Sequence, residues 1–249
     1  MALGTPHGVE STSETPTPSL PLPRIYAWFS AVTDDDMDLM EDLLIHGIPV
    51  DVPHPLRHTT ALMEATRQGR MAMVKWLLDR HAAPALLCGM PKGSALHCAL
   101  RRKHWNIATL LIDHTESTAI VDAYGCTPLH ALCIEPQERE DTYIVAEIAA
   151  KLLDKKCPID ALDHEGTTAL HHCVLNNAIQ LSNTLLIRGA NPNALIPDSW
   201  VSPLTIAALE KNLQMARVLL RYRANPHQQT RDGFTPASIY PLILGTQDD

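Results

Sequence analysis

Aromatic residues make up only 4% of this 249-residue chain and charged residues only 19%. With so few rings available, the core falls to Leu, Ala, Ile and Val, which suit closely packed helices better than a large mixed sheet. Basic residues are outnumbered, 20 Lys and Arg against 28 Asp and Glu, for a net charge of −8. A nucleic-acid partner calls for a basic footprint, so none is expected. No apolar run approaches the roughly 18 residues of a membrane span, and the N-terminus has neither a basic n-region nor an apolar h-region. Neither membrane association nor a signal peptide is expected. The six cysteines, at 88, 98, 126, 133, 157 and 173, include no CxxC pair. A chain this long and aliphatic needs no disulfide framework. An intracellular, reducing compartment follows, with no basic cluster to separate nucleus from cytoplasm. Walker A, GxGxxG, HExxH and GxSxG are all missing. With no phosphate loop or activated nucleophile in view, the chain is not expected to be an enzyme, nor to carry a catalytic residue, cofactor or metal.

What the chain has is repetition. Residues 1–23, MALGTPHGVESTSETPTPSLPLP, are rich in Pro, Ser, Thr and Glu with no helical period, and are expected to be a disordered leader. Residues 241–249 are expected to be a short tail. Between them, at 24–240, related segments recur: TALMEA, SALHCA, TPLHAL, TALHHC, SPLTIA and TPASIY. They start at Thr60, Ser94, Thr127, Thr168, Ser202 and Thr235, with spacings of 34, 33, 41, 34 and 33. An apolar pair follows 17 and 18 residues after most starts: Leu77–Leu78, Leu111–Ile112, Leu185–Leu186 and Leu219–Leu220. After Thr127 the pair, Leu152–Leu153, comes eight residues late. One insertion near 136–143, between two helices, explains both the long spacing and the late pair.

A period near 33 carrying T-P-L-H-x-A resembles the ankyrin-repeat family. The strongest stretches are Asp122–Leu132, Asp163–Cys173 and Gly189-Ala190-Asn191. The resemblance implies an all-α solenoid of paired antiparallel helices with short β-hairpin-like loops. It would have about six to seven repeats including degenerate caps: a first repeat at 24–51 without TPLH, and a last one that stops after its first helix. Physical chemistry explains the pattern. Thr or Ser caps the first helix, Pro fits its first turn, Leu and Ala face neighbouring helices, and Gly ends the second helix in a left-handed turn. Gly189 suits that last role, while His81, Thr115, Lys156 and Arg223 depart from it. In a solenoid repeats touch only their neighbours, so stability is expected to be uneven, with the first repeat and the Gly-poor turns opening before the centre.

His97, His130 and His171 occupy the TPLH position, where the resemblance implies backbone bonds that tie adjacent repeats together. Met63 and Thr205 stand there in other repeats. Helices pack about 8–10 Å apart and zinc needs ligands within about 2.0–2.3 Å, so Cys98, Cys133 and Cys173 are expected to fill small core positions and not to bind metal. Cys126, in a hairpin the family points outward, is expected to be the accessible thiol. The acidic run Asp34-Asp35-Asp36-Met37-Asp38 marks a helix start. Asn193 sits where some ankyrin proteins are hydroxylated.

The resemblance also implies a binding face. Family partners meet hairpin tips and the exposed side of the first helices, which selects Arg57, Met90, Tyr124, His164, Glu165, Trp200, Arg231 and Phe234 at the tips. On the first helices it selects Arg67, Gln68, Arg101, Arg102, Glu135 and Asn176. Trp200 stands where the family has Gly. The arginines line one end and the aromatics lie beyond; Arg, Tyr and Trp are the types that dominate binding hot spots. The expectation is a basic groove over the second and third repeats that takes an acidic or phosphorylated segment of another protein. The chain would act as a scaffold, adaptor or sequestering inhibitor, monomeric on its own. Alternatives are the substrate-recognition adaptor of a ubiquitin ligase, though leader and tail leave no room for a recognisable recruitment box, and a microbial host-directed effector. The initiator Met and atypical end repeats argue against a piece cut from an enzyme. The insertion, with Glu138, Glu140 and Asp141 against Arg139, is expected to protrude opposite the hairpins.

Overall fold

The computed structural model describes residues 21–134 and 142–246. Each repeat start becomes a helix cap. The hydroxyls of Thr60, Ser94, Thr168, Ser202 and Thr235 accept the backbone N–H three residues on, supplying an acceptor that the free first turn of a helix requires. The chain opens with the longer α1 (Leu22–Asp34), which starts at Pro21 without a side-chain cap, and α2 (Met37–Ile45). From the repeat starts then run short first helices, each answered by a second: α3 (Ala61–Arg67) and α4 (Met71–Asp79), α5 (Ala95–Arg101) and α6 (Trp105–Asp113), α7 (Pro128–Ile134) and α8 (Thr142–Asp154), α9 (Ala169–Leu175) and α10 (Ile179–Ile187), α11 (Pro203–Leu209) and α12 (Leu213–Arg221), then α13 (Pro236–Ile239) alone. First helices stack on first helices, and the six pairs plus α13 form one continuous all-α solenoid. Among the described residues there is no strand, only an isolated bridge between Cys88 and Gly93.

The core repeats with the sequence. Leu62, Leu96, Leu129, Leu170 and Leu204, the leucines of the repeated motif, are essentially inaccessible, as are Leu77, Leu111, Leu152, Leu185 and Leu219 of the second helices. Each such leucine removed from water contributes about 1.5–3 kcal/mol. Ala65, Ala99, Cys173 and Ala207 lie between the leucine ridges, where small volume lets first helices approach. Asp36 caps α2 by accepting the Leu39 N–H at 2.9 Å, so the acidic run does start a helix.

Three local results refine the reading. His81, Lys156 and Arg223 all adopt the left-handed conformation at the end of their second helices, with φ of 64°, 65° and 66°. Each pays about 1–2 kcal/mol that a glycine would not. Thr115 avoids that conformation, and its hydroxyl donates to the Leu111 carbonyl at 2.7 Å. The second result concerns the insertion. α8 is 13 residues long where the second helices on either side have nine, so Thr142 and Tyr143, expected in a protruding loop, lengthen a helix. The remainder of the insertion lies outside the described residues, as do 1–20 and 247–249. Third, α1 begins at Leu22, inside the expected leader. Pro241–Thr246 form a 3-10 turn inside the expected tail, with Ile243 fully buried.

Candidate protein-binding face

The tips are built by side chains that accept backbone N–H groups. Asp122 Oδ1 accepts from Tyr124 and Cys126, at 2.8 and 3.0 Å, and Asp163 Oδ1 accepts from Glu165 and Thr167, at 3.0 and 2.9 Å. In the first tip a histidine does this work: His54 Nδ1 accepts from Leu56 and Arg57, at 3.1 and 3.2 Å, and its ring packs edge-on against Phe29. Successive tips are joined by backbone bonds, Gly89 N–H to His58 O at 2.7 Å, Ala123 to Lys92 at 2.8 Å, His164 to Tyr124 at 2.9 Å and Arg231 to Ser199 at 2.9 Å. The stacking is tight: a Cβ on Gly125 would lie 2.6 Å from His164 Cδ2, and one on Gly166 2.6 Å from Pro197 Cδ.

Beneath the tips run the histidines. The Ser94 and Thr127 N–H groups donate to Nδ1 of His97 and His130, which puts the proton on Nε2. His97 then donates to the Cys126 carbonyl at 3.0 Å and His130 to the Thr167 carbonyl at 3.2 Å, tying repeat to repeat. Burial pushes all three histidines down, His97 and His171 to about 4. His171 Nδ1 is engaged in the same way, but its Nε2 is buried with no partner among the described residues. The adjoining tip is the one where Trp200 replaces glycine, with φ of 56°, and no described backbone bond joins it to the tip at His164–Glu165. Among the described residues this tip pair lacks the backbone bond that joins the others, and its two repeats are tied elsewhere by Asn212 donating to Asn177 Oδ1 at 2.7 Å and Tyr222 to Asn183 Oδ1 at 3.1 Å.

Cys126 is buried, not accessible, because its backbone serves both the Asp122 turn and His97; burial first, and the Asp122 and Asp163 carboxylates second, push its thiol up to about 11. Asn193 is not spare either. It accepts the Asn225 N–H at 2.7 Å and donates to the Arg223 carbonyl at 3.1 Å, as Asp51 and Asp160 accept from the next repeat at Ala83 and Asn191.

Two of the arginines, Arg67 and Arg101, are held by buried carboxylates. Glu64 is 4% exposed, and both its oxygens accept from Arg67, through Nε and Nη2, while Gln68 adds a bond at 2.8 Å. Those partners, Arg67 first, hold the Glu64 carboxyl below its usual range against burial. Arg57 approaches the same carboxylate at 3.8 Å. Arg101 donates to the buried Asp122 carboxylate and lies 5.9 Å from the Tyr124 ring. Arg102 is exposed and ion-pairs with no described residue. Arg57, Arg67 and Met90 meet across a cleft of about 510 Å³ that Leu56, Thr59 and Glu64 complete. Tyr124 stands exposed above Arg101. Trp200, Phe234 and Arg231 gather at the far end, where Arg231 also donates to the Asp198 carbonyl at 3.1 Å. His164 and Glu165 are exposed at the fourth of these tips. Asn176 is engaged inside the stack, donating to the Cys133 and Ile134 carbonyls at 2.9 and 2.7 Å. Glu135 lies outside the described residues. Sequence reasoning passed over Glu64, Asp122, His54 and Leu56. Of these only Glu64 was readable, three residues before Arg67 on one helix.

Comparison with known proteins agrees with the fold. The family model for ankyrin repeats in three copies matches residues 28–115, and the single ankyrin-repeat model matches 165–196 and 201–231. Palmitoyltransferase AKR1 of Lachancea kluyveri is 23% identical over 214 residues, covering 85% of this chain and 28% of that protein. B-cell lymphoma 3 protein homolog of Mus musculus is 28% identical over 138 residues, 55% of this chain and 30% of the relative. This chain thus matches less than a third of either relative's length. The solved ankyrin repeat domain of Bcl-3 superposes with a TM-score of 0.75 at 24% identity, over 90% of this chain and 98% of that one. Among the described residues no helix is long and apolar enough to cross a membrane. The repeated caps, the buried leucines, the interlocked tips and these matches agree: the chain belongs to the ankyrin-repeat family, whose stacked helix pairs serve as protein-interaction modules.

Proposed function

We propose that this chain binds an acidic segment of a partner protein across its tips and first helices, and acts as a scaffold, adaptor or sequestering inhibitor without catalysing a reaction. The observation that carries this reading is the pair of arginines, Arg67 and Arg101, fixed by buried carboxylates Glu64 and Asp122 and flanked by exposed Arg57 and Arg102. A guanidinium has five N–H donors and one carboxylate occupies two of them at most, so a held arginine still offers donors to a partner. Its geometry is set in advance, which lowers the entropy cost of binding. The whole chain carries −8, yet this face gathers cations, so an acidic partner meets attraction locally. The cysteines are unpaired thiols, four of them buried, in keeping with a reducing, intracellular site of action.

The test is affinity capture with mass spectrometry at low and high salt, comparing the intact chain with an Arg57→Ala/Arg102→Ala variant. Both side chains are exposed, and the buried Glu64 carboxylate that Arg57 approaches at 3.8 Å is already held by Arg67 and Gln68, so the fold should survive. A partner captured by the intact chain, and lost with the variant or with salt, is expected. A partner retained through both would reject the electrostatic face, and no partner at all would reject the interaction reading.

A further inference from the structure

We propose that the cleft between the first two tips is a docking site for one aliphatic side chain together with a neighbouring carboxylate of a partner peptide. The proposal rests on the partner-binding reading above and narrows it to one place and one chemistry. The apolar requirement comes from the walls. Leu56 is 75% exposed on one side and Met90 80% exposed on the other. Both are thrust into water by rigid turns. His54 Nδ1 accepts the Leu56 and Arg57 N–H groups, and its ring is braced by Tyr26 and Phe29 at centroid distances of 5.8 and 4.7 Å. The second tip is fixed by the Cys88–Gly93 bridge and by Gly89 bonding to His58. An aliphatic side chain between Leu56 and Met90 would remove both from water without moving the backbone, and the unbranched methionine adapts to its shape.

The carboxylate requirement comes from counting donors. Glu64 Oε1 accepts from Arg67 Nη2 and Gln68 Nε2, and Oε2 accepts from Arg67 Nε. That buried carboxylate is nearly saturated. Arg57, at 3.8 Å, makes no side-chain hydrogen bond among the described residues, and Arg67 keeps its remaining N–H donors. Two guanidiniums against one carboxylate leave the cleft one positive charge in excess. A single carboxylate bridging Arg57 and Arg67 balances it. A phosphate dianion would set its second charge against Glu64, which is locked in place, so like-charge repulsion disfavours it.

The experiment selects a random dodecapeptide library displayed on phage against the whole chain and measures synthetic versions of the enriched peptides by fluorescence anisotropy. Enriched sequences are expected to place Leu, Ile or Met within two residues of Asp or Glu. Glutamine in place of that acidic residue is expected to weaken binding at least tenfold, and phosphoserine there not to restore it. Leu56→Ser and Arg57→Ala, both exposed and checked for folding by circular dichroism, should each weaken binding at least fivefold. Selected peptides without a carboxylate, no enrichment at all, tighter binding of the phosphoserine peptide, or acidic peptides indifferent to both substitutions would each overturn the proposal. If the indifferent peptides were instead lost on Trp200→Ala, the cleft would be rejected while the partner-binding reading stood.

Discussion

Lowering the pH from 7 to 5 should destabilise this protein through the histidines that tie its repeats. His97 and His171 are essentially inaccessible, and burial first pushes both down to about 4. Their Nδ1 atoms already accept the Ser94 and Thr168 N–H groups, so a proton there would face a donor. In the unfolded chain a histidine titrates near 6.5. Between about pH 6.5 and 4 the unfolded chain therefore binds protons that the folded chain refuses, and stability falls as the pH falls. The slope is about 1.4 kcal/mol per pH unit for each histidine. From pH 7 to 5 each loses about 2 kcal/mol, and the two together about 4, a large share of the roughly 5–15 kcal/mol of a typical domain. His130 moves in the same direction. The assay is urea unfolding followed by far-UV circular dichroism at pH 7 and 5. With a slope near 2 kcal/mol per molar urea, the midpoint should drop by about 2 M. A His97→Gln/His171→Gln variant should be weaker at pH 7 yet lose far less on acidification. If variant and wild type lost the same amount between pH 7 and 5, the buried histidines would not be the source and the reasoning would fail.

Other consequences are as specific. Replacing His81, Lys156 or Arg223 by glycine should relieve a left-handed side chain and raise stability by up to about 1 kcal/mol each, read as a higher thermal midpoint, despite glycine's entropy cost. Leu96→Ala opens a cavity in a fully buried position between first helices and should cost about 2–5 kcal/mol in urea unfolding. Gly166→Ala meets both a positive φ of 75° and Pro197 at 2.6 Å; it should destabilise by more than 1 kcal/mol, whereas the same change at Gly233, with nothing within 4 Å, should cost less. Hydrogen exchange should show weaker protection at the joint of the 163–167 and 197–201 tips than at the 122–126 and 163–167 joint, because only the latter has a tip-to-tip backbone bond and a satisfied histidine between its repeats.

The repeat architecture was legible because its causes are local. A hydroxyl capping its own helix, a leucine two residues later and an aliphatic pair near position 17 recur in linear order, so spacing alone reveals them and even locates the insertion. The histidine ties were legible through the family pattern. The character of the binding face was legible only in part. Arg67 and Glu64 share one helix and could be paired on paper, but Arg101 and Asp122 are 21 residues apart and meet only when adjacent repeats stack.

Cys126 shows the same division. Its place in a hairpin was right, but its exposure depends on a carboxylate that turns the loop and a histidine that draws its carbonyl inward. His54 looked like one more of 13 histidines until its ring was seen to hold the first tip. By itself, then, the sequence determined the family, the number of repeats and the core, because each follows from period and capping. The tertiary structure decided which arginines are held, which thiol is hidden and where a cleft opens, because those depend on contacts between repeats, and stacking alone creates them.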